Sequence, residues 1–450
     1  MIFRSSDPPA PIPEIPLCAY VTGRFGAFGN RPAIINGSTG RQLTYTQLAS
    51  GIRRMAIGLV KRGMRKGDVF AMLLPNLPEY AVAVLGVASA GGAATTINPL
   101  MTAEEIHRQL LDTGARWLLT IAPLAGRARE GADNTPVREI FCLEEAPGTT
   151  PYASLVAEDG LPPEVEIEPR GQIVLLPLSS GTGGLPKAVM LTHHNVVAQL
   201  CQANSVHAGE EYGCVAGVAT FSHVMGMTAI LLSGLQRGNT IVALARFELE
   251  LFLQCVQKYR IRYASLVPSV IRMLARDPLV GRYDMSSLAW VSSGAAPLDA
   301  ELEEICARRL NCRLGQRWGM TELSGVGTSS RLWPDPPSVR RGATGLLWPN
   351  LEARIVDPAG GTDLGTGEAG VLLVRGPNVT TGYLNPPGVT VAALDADGWL
   401  NTGDIASFDA DGYLFITDRA KELIKYKGYQ IAPAELEAVL VSHPAVSEAV

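Results

Sequence analysis

The chain has 450 residues, and its 38 lysines and arginines against 43 aspartates and glutamates leave a net charge of −5. At roughly 150 residues a domain, this length argues for more than one structural unit. The absence of a basic excess argues against a protein that holds nucleic acid or an anionic membrane surface. With 47% hydrophobic residues the chain can bury a large core, which excludes a fibrous or disordered protein.

The seven cysteines are odd in number and scattered, and none forms a Cys-x-x-Cys pair. This pattern argues against a zinc site or a disulfide framework and favours a reducing compartment. The N-terminus lacks the apolar run of a signal peptide. The longest apolar stretch, around residues 81–90, is too short to cross a bilayer. We therefore expect a cytoplasmic protein without a membrane span.

The first third of the chain alternates helical and strand-like segments. Apolar residues at positions 48, 52, 55 and 59 recur at helical spacing, and Gly63 closes that helix. Residues 68–74 predict a buried strand, residues 79–90 an apolar helix, and residues 93–97 another strand. This order is typical of a mainly parallel sheet covered by helices.

The same order returns after Gly171, and the pattern changes near Gly342. The predicted strands of the second region lie at 173–178 and 241–244, and its predicted helices lie at 194–201 and 248–259. From Gly342 onward, short strands at 351–356, 370–374 and 413–417 are separated by Gly, Pro and Asp turns, which predicts a compact β subdomain.

These segments predict an α/β protein with a large N-terminal domain at 1–418. We expect it to contain two α/β halves, at about 1–170 and 171–341, each with a helix-covered, mainly parallel sheet, and the β subdomain at 342–418. Residues 419–450, with a helix-like segment at 434–441, would form a hinge and the start of a small α+β C-terminal domain. About thirty residues are too few to complete a domain, so we expect this one to be cut short.

The strongest motif is a run of hydroxyl and glycine residues directly after the predicted strand at 173–178. It reads Ser179-Ser180-Gly181-Thr182-Gly183-Gly184-Leu185-Pro186-Lys187. Such a run lets backbone N–H groups turn toward an anion, and a lysine adds a positive charge. It is not a Walker loop, because Pro186 precedes the lysine and Ala188 follows it. We interpret it as a phosphate-binding loop, not a plain surface turn.

Three weaker motifs follow along the chain. Residues 318–322 (Trp-Gly-Met-Thr-Glu) offer a ring to stack on a base, a hydroxyl for a phosphate and a carboxylate for magnesium, although such a run is more often core. Residues 401–404 (Asn-Thr-Gly-Asp) place an aspartate on a glycine turn, where it can accept two ribose hydroxyls. The cations of residues 419–427 alone would indicate only a solvated basic face.

Together and in this order, the four motifs resemble the AMP-forming acyl-CoA synthetase and luciferase superfamily. The similarity is greatest to 4-coumarate–CoA ligases and related aryl- and fatty-acyl-CoA ligases. It extends over nearly the whole chain through further segments at 43–45, 74–76, 221–223, 293–298, 375–379, 382–384 and 425–437. Such enzymes join a carboxylate to ATP as an acyl-adenylate and then transfer the acyl group to a thiol, usually that of CoA.

The resemblance implies roles for named residues in binding ATP and Mg²⁺. Residues 179–187 would hold the β- and γ-phosphates, with Lys187 catalytic. Thr321 would contact the α-phosphate, Glu322 the magnesium ion, and Asp404 with Arg419 the ribose. Trp318, where relatives often have tyrosine, would stack on adenine. The implied nucleotide site is completed by Gly294, Ala295, Ala296, Gly319 and Met320.

The resemblance also implies an acyl pocket and a mobile C-terminal domain. His223 would flank the acyl carboxylate, and the pocket would be lined by Met225, Met227, Ala229, Gly294, Ala295, Arg317 and Gly319. Lys421 would be the hinge. Lys425, Gly428 and Gln430 would lie near the thiol tunnel and the adenylate, with Lys425 catalytic. A further catalytic lysine of the family would lie beyond Val450.

Departures from the family pattern bear on the acid. Met225 and Ala229 replace the tyrosine and serine of plant coumarate ligases, which makes the pocket more apolar. Arg317 stands where relatives often have glycine, so it would shorten the pocket or place a guanidinium near the acid. We expect a compact aromatic acid of the benzoate, anthranilate or cinnamate type.

The residues leave other functions open. The chain could be a medium- or long-chain fatty-acyl-CoA synthetase, or a ligase that loads an acyl carrier protein, which an assay of CoA dependence would separate. A non-enzymatic alternative is an adenylate-binding regulatory protein. Luciferase chemistry can be tested by light emission.

Overall fold

A computed structural model of the chain describes most of residues 1–419 and few residues beyond them. The described residues are 1–161, 163–179, 186–209, 213–332, 338–384, 393–419, 424–426, 429–431, 440 and 446. The predicted helix at 434–441, apart from residue 440, therefore lies outside them. Among the described residues, no helix combines the length and the apolar character needed to cross a bilayer. The expected cytoplasmic location stays a prediction.

Helices make up much of the first 310 residues. In the described part of the chain they are α1 Leu17–Thr22, α2 Phe25–Phe28, α3 Tyr45–Lys61, α4 Pro78–Ser89, α5 Ala103–Thr113, α6 Ala125–Ala132, α7 Tyr152–Leu155, α8 His193–Val206, α9 Ser233–Gln236, α10 Leu249–Tyr259, α11 Pro268–Arg276 and α12 Ala300–Leu310. Turns of 3₁₀ helix occupy Ala122–Leu124, Pro278–Arg282 and Thr321–Leu323, and a π-helical segment occupies Met225–Leu232.

Strands run through the whole described chain. They are β1 Phe3–Arg4, β2 Pro32–Asn36, β3 Gln42–Thr44, β4 Val69–Leu73, β5 Ala93–Ile97, β6 Trp117–Thr120, β7 Glu139–Cys142, β8 Thr150–Pro151, β9 Ile173–Leu175, β10 Leu178–Ser179, β11 Lys187–Ala188, β12 Leu191–Thr192, β13 Cys214–Gly217, β14 Thr240–Ala243, β15 Tyr263–Leu266, β16 Trp290–Ser293, β17 Arg313–Met320, β18 Gly325–Ser329, β19 Gly345–Leu347, β20 Glu352–Val356, β21 Gly370–Arg375, β22 Leu400–Phe408, β23 Tyr413–Arg419, β24 Ile424–Tyr426 and β25 Tyr429–Ile431.

Two large sheets organise the described residues. One has seven strands in the order β12-β9-β5-β4-β6-β7-β8, all parallel except the β12–β9 pair. The other has fourteen, in the order β1-β20-β21-β22-β23-β19-β18-β17-β16-β15-β13-β14-β2-β3. The predicted α/β class is therefore confirmed. The predicted second parallel sheet and the β strands after residue 342 form one continuous sheet, and the domain boundaries stay a prediction.

Local sequence explains why the predicted elements form. Helix α3 begins at a capping box, because Thr44 accepts from the Gln47 N–H and the Gln47 side chain accepts from the Thr44 N–H. Helix α4 carries apolar residues on nearly every side, and a helix with this pattern is buried on nearly every side. The predicted strand at 173–178 is divided into β9 and β10 around Pro177, which has no N–H to donate to a neighbouring strand.

Strand β17 joins the parallel and antiparallel parts of the larger sheet. Its first half pairs parallel with β16, from Arg313 to Gln316. Its second half, from Arg317 to Met320, pairs antiparallel with β18. The point of change lies where the parallel strands end, and that edge is where open α/β sheets bind ligands.

Helix α8 begins with a histidine that the fold keeps neutral. His193 is fully buried, and its Nδ1 accepts a hydrogen bond from the Leu17 N–H at 3.1 Å. Burial lowers the pKa of His193 to about 4, despite the opposing effect of Glu168. Because the folded pKa lies below the unfolded one, the unfolded state binds more protons between these values, and stability falls as pH falls from about 6.5 to about 4.

We predict that His193→Asn reduces the acid sensitivity of this protein. The asparagine Oδ1 can still accept from the Leu17 N–H, but it does not titrate. His193 should remove about 2 kcal/mol of stability between pH 7 and about pH 5, so the drop in melting temperature over that interval should shrink in the variant. His107→Asn, at a half-exposed position, is the control. An unchanged drop in the His193→Asn protein would contradict the prediction.

Candidate active site

Two groups of predicted site residues lie at the carboxyl ends of the neighbouring strands β16 and β17. Gly294 follows the last residue of β16, and Ala295 and Ala296 are exposed just beyond it. Ala295 has a φ of 76°, a left-handed conformation that costs free energy for a residue with a side chain. The backbone is therefore held in a defined turn at the point where the resemblance places the adenylate.

A tight reversal between β17 and β18 carries the Trp-Gly-Met-Thr-Glu motif. A Cβ on Gly319 would lie 1.9 Å from the carbonyl oxygen of Gly325, so only glycine permits this approach. The reversal leaves Thr321 half-buried and Glu322 buried on the 3₁₀ turn, while Met320 is half-buried beside them.

Trp318 and Asp404 lie in direct contact, although 86 residues separate them. The indole Nε1 of Trp318 donates to Asp404 Oδ2 at 2.7 Å, and both side chains are buried. Asp404 also lies opposite Arg419 in the antiparallel β22–β23 pair. The structure therefore brings together the residues that were predicted for the adenine and the ribose.

Glu322 carries a buried carboxylate whose two oxygens differ. Its Oε1 accepts a hydrogen bond from the Tyr383 hydroxyl at 2.8 Å. Its Oε2 is buried and accepts no hydrogen bond from any described residue. A buried carboxylate oxygen without a donor is costly unless a cation or another group compensates its charge.

The two ends of the predicted phosphate loop meet as a short hairpin. Ser179 of β10 lies opposite Lys187 of β11. The Lys187 Nζ lies 5.7 Å from the centre of the Tyr383 ring. The intervening predicted residues Ser180, Gly181, Thr182, Gly183 and Gly184 lie outside the described part of the chain.

Gly294, Arg317 and Met225 converge on the acyl side of the site. A Cβ on Gly294 would lie 3.1 Å from Arg317 Cγ and 3.3 Å from Met225 Sδ. The Arg317 guanidinium donates to the Ser292 hydroxyl and lies 5.7 Å from the centre of the Tyr263 ring. The hydroxyls of Tyr263 and Ser292 lie 2.7 Å apart.

A small cavity of about 30 Å³ lies on this side of the site. Arg317, Tyr263 and Ala229 contribute to its wall. This volume holds about one or two water molecules. Arg317 and its two partners therefore form a polar wall next to a space too small for either an alkyl tail or an aromatic ring.

His223 and Met227 occupy different environments. His223 is exposed just before the π-helical segment, yet the protein atoms around it lower its pKa by limiting hydration of the imidazolium. It is therefore neutral at pH 7. Met227, predicted to line the pocket, packs in the hydrophobic core and is 2% exposed.

The predicted residues of the C-terminal segment are described in part. Lys425 of β24 lies opposite Gln430 of β25 in a short antiparallel hairpin. Lys421 and Gly428 lie outside the described residues. Their predicted roles stay predictions.

The sequence interpretation missed three residues of the site. Tyr383 contacts Glu322, and Tyr263 and Ser292 hold Arg317. Tyr383 lies in the segment 382–384, which contributed to the family resemblance but gave no role for the tyrosine. Tyr263 and Ser292 lie on buried strands whose pattern indicated only core, so no local signal distinguished them.

Comparison with known proteins identifies relatives over the whole chain. The AMP-binding enzyme family matches residues 24–384. A 4-coumarate–CoA ligase 1 of Petroselinum crispum is 38% identical over 461 aligned residues, which cover 100% of this chain and 84% of the relative.

Solved structures share the fold. An anthranilate CoA ligase, AuaEII, in complex with anthranoyl-AMP, superposes with a TM-score of 0.87 at 22% identity over 97% of this chain and 84% of that one. A benzoate CoA ligase from Burkholderia xenovorans LB400 gives a TM-score of 0.85 at 22% identity over 96% of this chain and 85% of that one.

We predict that Trp318→Phe weakens AMP binding several-fold. The change removes the indole donor to Asp404, so the carboxylate loses its orientation, and stability should fall by about 1–3 kcal/mol. Trp348→Phe is a matched control, because Trp348 is also buried and its Nε1 donates to the Ser329 hydroxyl at 2.8 Å.

Calorimetric titration with AMP and melting temperatures check this prediction. Both variants should melt earlier than the parent protein, but only Trp318→Phe should bind AMP more weakly. Equal losses of AMP affinity in the two variants, or unchanged affinity in both, would contradict it.

Proposed function

Because this chain belongs to the AMP-binding enzyme family and is an AMP-forming acid–CoA ligase, we propose that its acid is compact and aromatic, of the benzoate, anthranilate or cinnamate type. In the first step a carboxylate oxygen attacks the α-phosphorus of ATP, and acyl-AMP forms as pyrophosphate leaves. In the second step the CoA thiolate attacks the acyl carbon, and AMP leaves. Positioning and compensation of phosphate charge supply most of the catalysis of the first step.

The nucleotide is held by the groups that converge from β11, β17, β22 and the 3₁₀ turn. Lys187 neutralises the β- and γ-phosphates, Thr321 contacts the α-phosphate, and Asp404 accepts the ribose hydroxyls. The contact of Trp318 with Asp404 supports a common site for base and ribose. His223, which is neutral at pH 7, flanks the acyl carboxylate.

Glu322 fits a magnesium site. Its Oε2 is buried and lacks a hydrogen bond from the described residues, which suits an oxygen ligand for a hard cation. Mg²⁺ is commonly bound by one or two carboxylates together with substrate phosphates. When bound, the ion would compensate phosphate charge, with Glu322 as its protein ligand.

The wall formed by Arg317, Ser292 and Tyr263 carries the proposal for the acid. The guanidinium is held against a hydroxyl and an aromatic ring, so it closes the acyl side near Gly294. Only about 30 Å³ of space lies next to this wall. That space is too small for either an aromatic ring or an alkyl tail, so the acid must end in front of the wall. This favours a compact ring acid over a long alkyl chain, which would have to extend past the wall. The relatives named as 4-coumarate ligases also support an aromatic acid.

We predict that the protein forms acyl-AMP from an aryl acid at least about tenfold faster than from palmitate. The measurement is mass spectrometry of reactions that contain ATP, Mg²⁺, CoA and a panel of benzoate, anthranilate, cinnamate, octanoate and palmitate. Formation of acyl-CoA from free CoA supports CoA as the acyl acceptor. Transfer of the acyl group only to an added acyl carrier protein would overturn the assignment of CoA. Faster turnover of palmitate would contradict the aromatic assignment.

Arg317→Gly should shift the preference toward longer acids. Removing the side chain opens the space between Gly294 and Tyr263, so binding of an octanoyl-sulfamoyl-adenosine should improve by about tenfold relative to the benzoyl analogue. Arg262→Gly is the matched control, because the Arg262 guanidinium also lies over an aromatic ring, 4.9 Å from the centre of Trp290. Calorimetry reports the ratio without turnover, and an unchanged ratio in Arg317→Gly would contradict the role of the wall.

A further inference from the structure

Residues 380–384 attach to the strand that leaves the phosphate loop. The Leu384 N–H donates to the Ala188 carbonyl at 2.9 Å, and the Met190 N–H donates to the Gly382 carbonyl at 2.9 Å. Val189 and Tyr383 also pair as an isolated antiparallel bridge. This segment is therefore hydrogen-bonded to the residues that directly follow Lys187.

The same segment attaches to the turn that carries Glu322. The Thr380 N–H donates to the Glu322 carbonyl oxygen at 2.7 Å. The Tyr383 hydroxyl donates to Glu322 Oε1 at 2.8 Å. Both the backbone and the side chain of Glu322 are thus held by residues that lie about sixty positions further along the chain.

The Tyr383 side chain contacts two charged residues of the proposed nucleotide site, Glu322 and Lys187. It is 9% exposed, its hydroxyl contacts Glu322, and its ring centre lies 5.7 Å from Lys187 Nζ. At this distance the negative face of a ring attracts an ammonium group. One side chain therefore contacts both the carboxylate and the lysine, which carry opposite charges.

We propose that Tyr383 is a positioning residue that sets the spacing of Glu322 and Lys187 for metal-bound ATP. This inference rests on the proposed function, in which Glu322 binds the metal ion and Lys187 binds the phosphates. Donation to Oε1 orients the carboxylate and leaves Oε2 for the cation. The ring holds the ammonium near the phosphates without forming an ion pair that would compete with them.

The chemistry of a tyrosine suits this role. A tyrosine hydroxyl carries its proton at neutral pH, so it can donate to the Glu322 carboxylate, which only accepts. Phenylalanine at this position would keep the ring beneath Lys187 but lose the donor. Leucine would lose both. The two variants therefore separate the contribution of the hydroxyl from that of the ring.

The test measures metal binding directly. Mn²⁺, a paramagnetic ion that prefers the same oxygen ligands as Mg²⁺, is titrated into protein and ATP, and free Mn²⁺ is followed by electron paramagnetic resonance. Tyr383→Phe should raise the Mn²⁺ concentration at half-saturation about fivefold and leave metal-free ATP binding within about twofold. Tyr383→Leu should also weaken metal-free ATP binding, because the Lys187 ammonium loses its contact with the aromatic ring.

Tyr45→Phe is the matched control. Tyr45 is also buried, and its hydroxyl donates to the Asn239 carbonyl at 2.6 Å, a partner that is not among the groups named for ATP or the metal ion. It should lower the melting temperature without changing the Mn²⁺ midpoint. Glu322→Gln is the reference for loss of the carboxylate charge and should raise the midpoint more than Tyr383→Phe does.

The outcomes distinguish the two proposals. If the parent protein binds Mn²⁺ with ATP and Glu322→Gln weakens that binding, but Tyr383→Phe changes only the melting temperature, the role of Tyr383 is overturned and the proposed function stands. If Glu322→Gln leaves the Mn²⁺ midpoint unchanged, the metal assignment fails and the role of Tyr383 fails with it. A raised midpoint in Tyr383→Phe beside an unchanged one in Tyr45→Phe supports the role.

Discussion

The close approach of β17 and β18 at Gly319 is the constraint on which the rest of the site depends. A side chain there would lie 1.9 Å from the Gly325 carbonyl oxygen, and one on Gly327 would lie 2.6 Å from the Trp318 ring. Without these glycines the two strands would have to separate. The space for the indole would close, and the 3₁₀ turn that carries Glu322 would shift.

From this strand pair, two polar groups reach partners on distant segments. The indole of Trp318 donates to Asp404 on β22, and the carboxylate of Glu322 accepts from Tyr383. Buried polar groups need such partners, because an unpaired one costs free energy. The nucleotide site is therefore a product of docking the 380–384 segment and β22 against the end of the parallel sheet. Its residues cannot be positioned by β17 alone.

The acyl side depends on a different kind of contact. From the sequence, Arg317 could either shorten the pocket or aim its guanidinium at the acid. In the structure it lies over the Tyr263 ring and donates to the Ser292 hydroxyl, which favours the first outcome. Strand periodicity indicates on which face of the sheet a side chain lies. It does not indicate which ring or hydroxyl lies beside that side chain on the neighbouring strands.

What the sequence by itself determined was local: the apolar spacing of α3, the buried strands β4 and β5, and the order of the four nucleotide motifs that resemble the family. Only the tertiary structure decided that β2, from the first third of the chain, pairs with β14, and that Tyr383 lies between Lys187 and Glu322. The physical reason is distance along the chain. Caps, helical periods and glycine turns depend on neighbouring residues, whereas a contact between residues 61 apart depends on which strands pair.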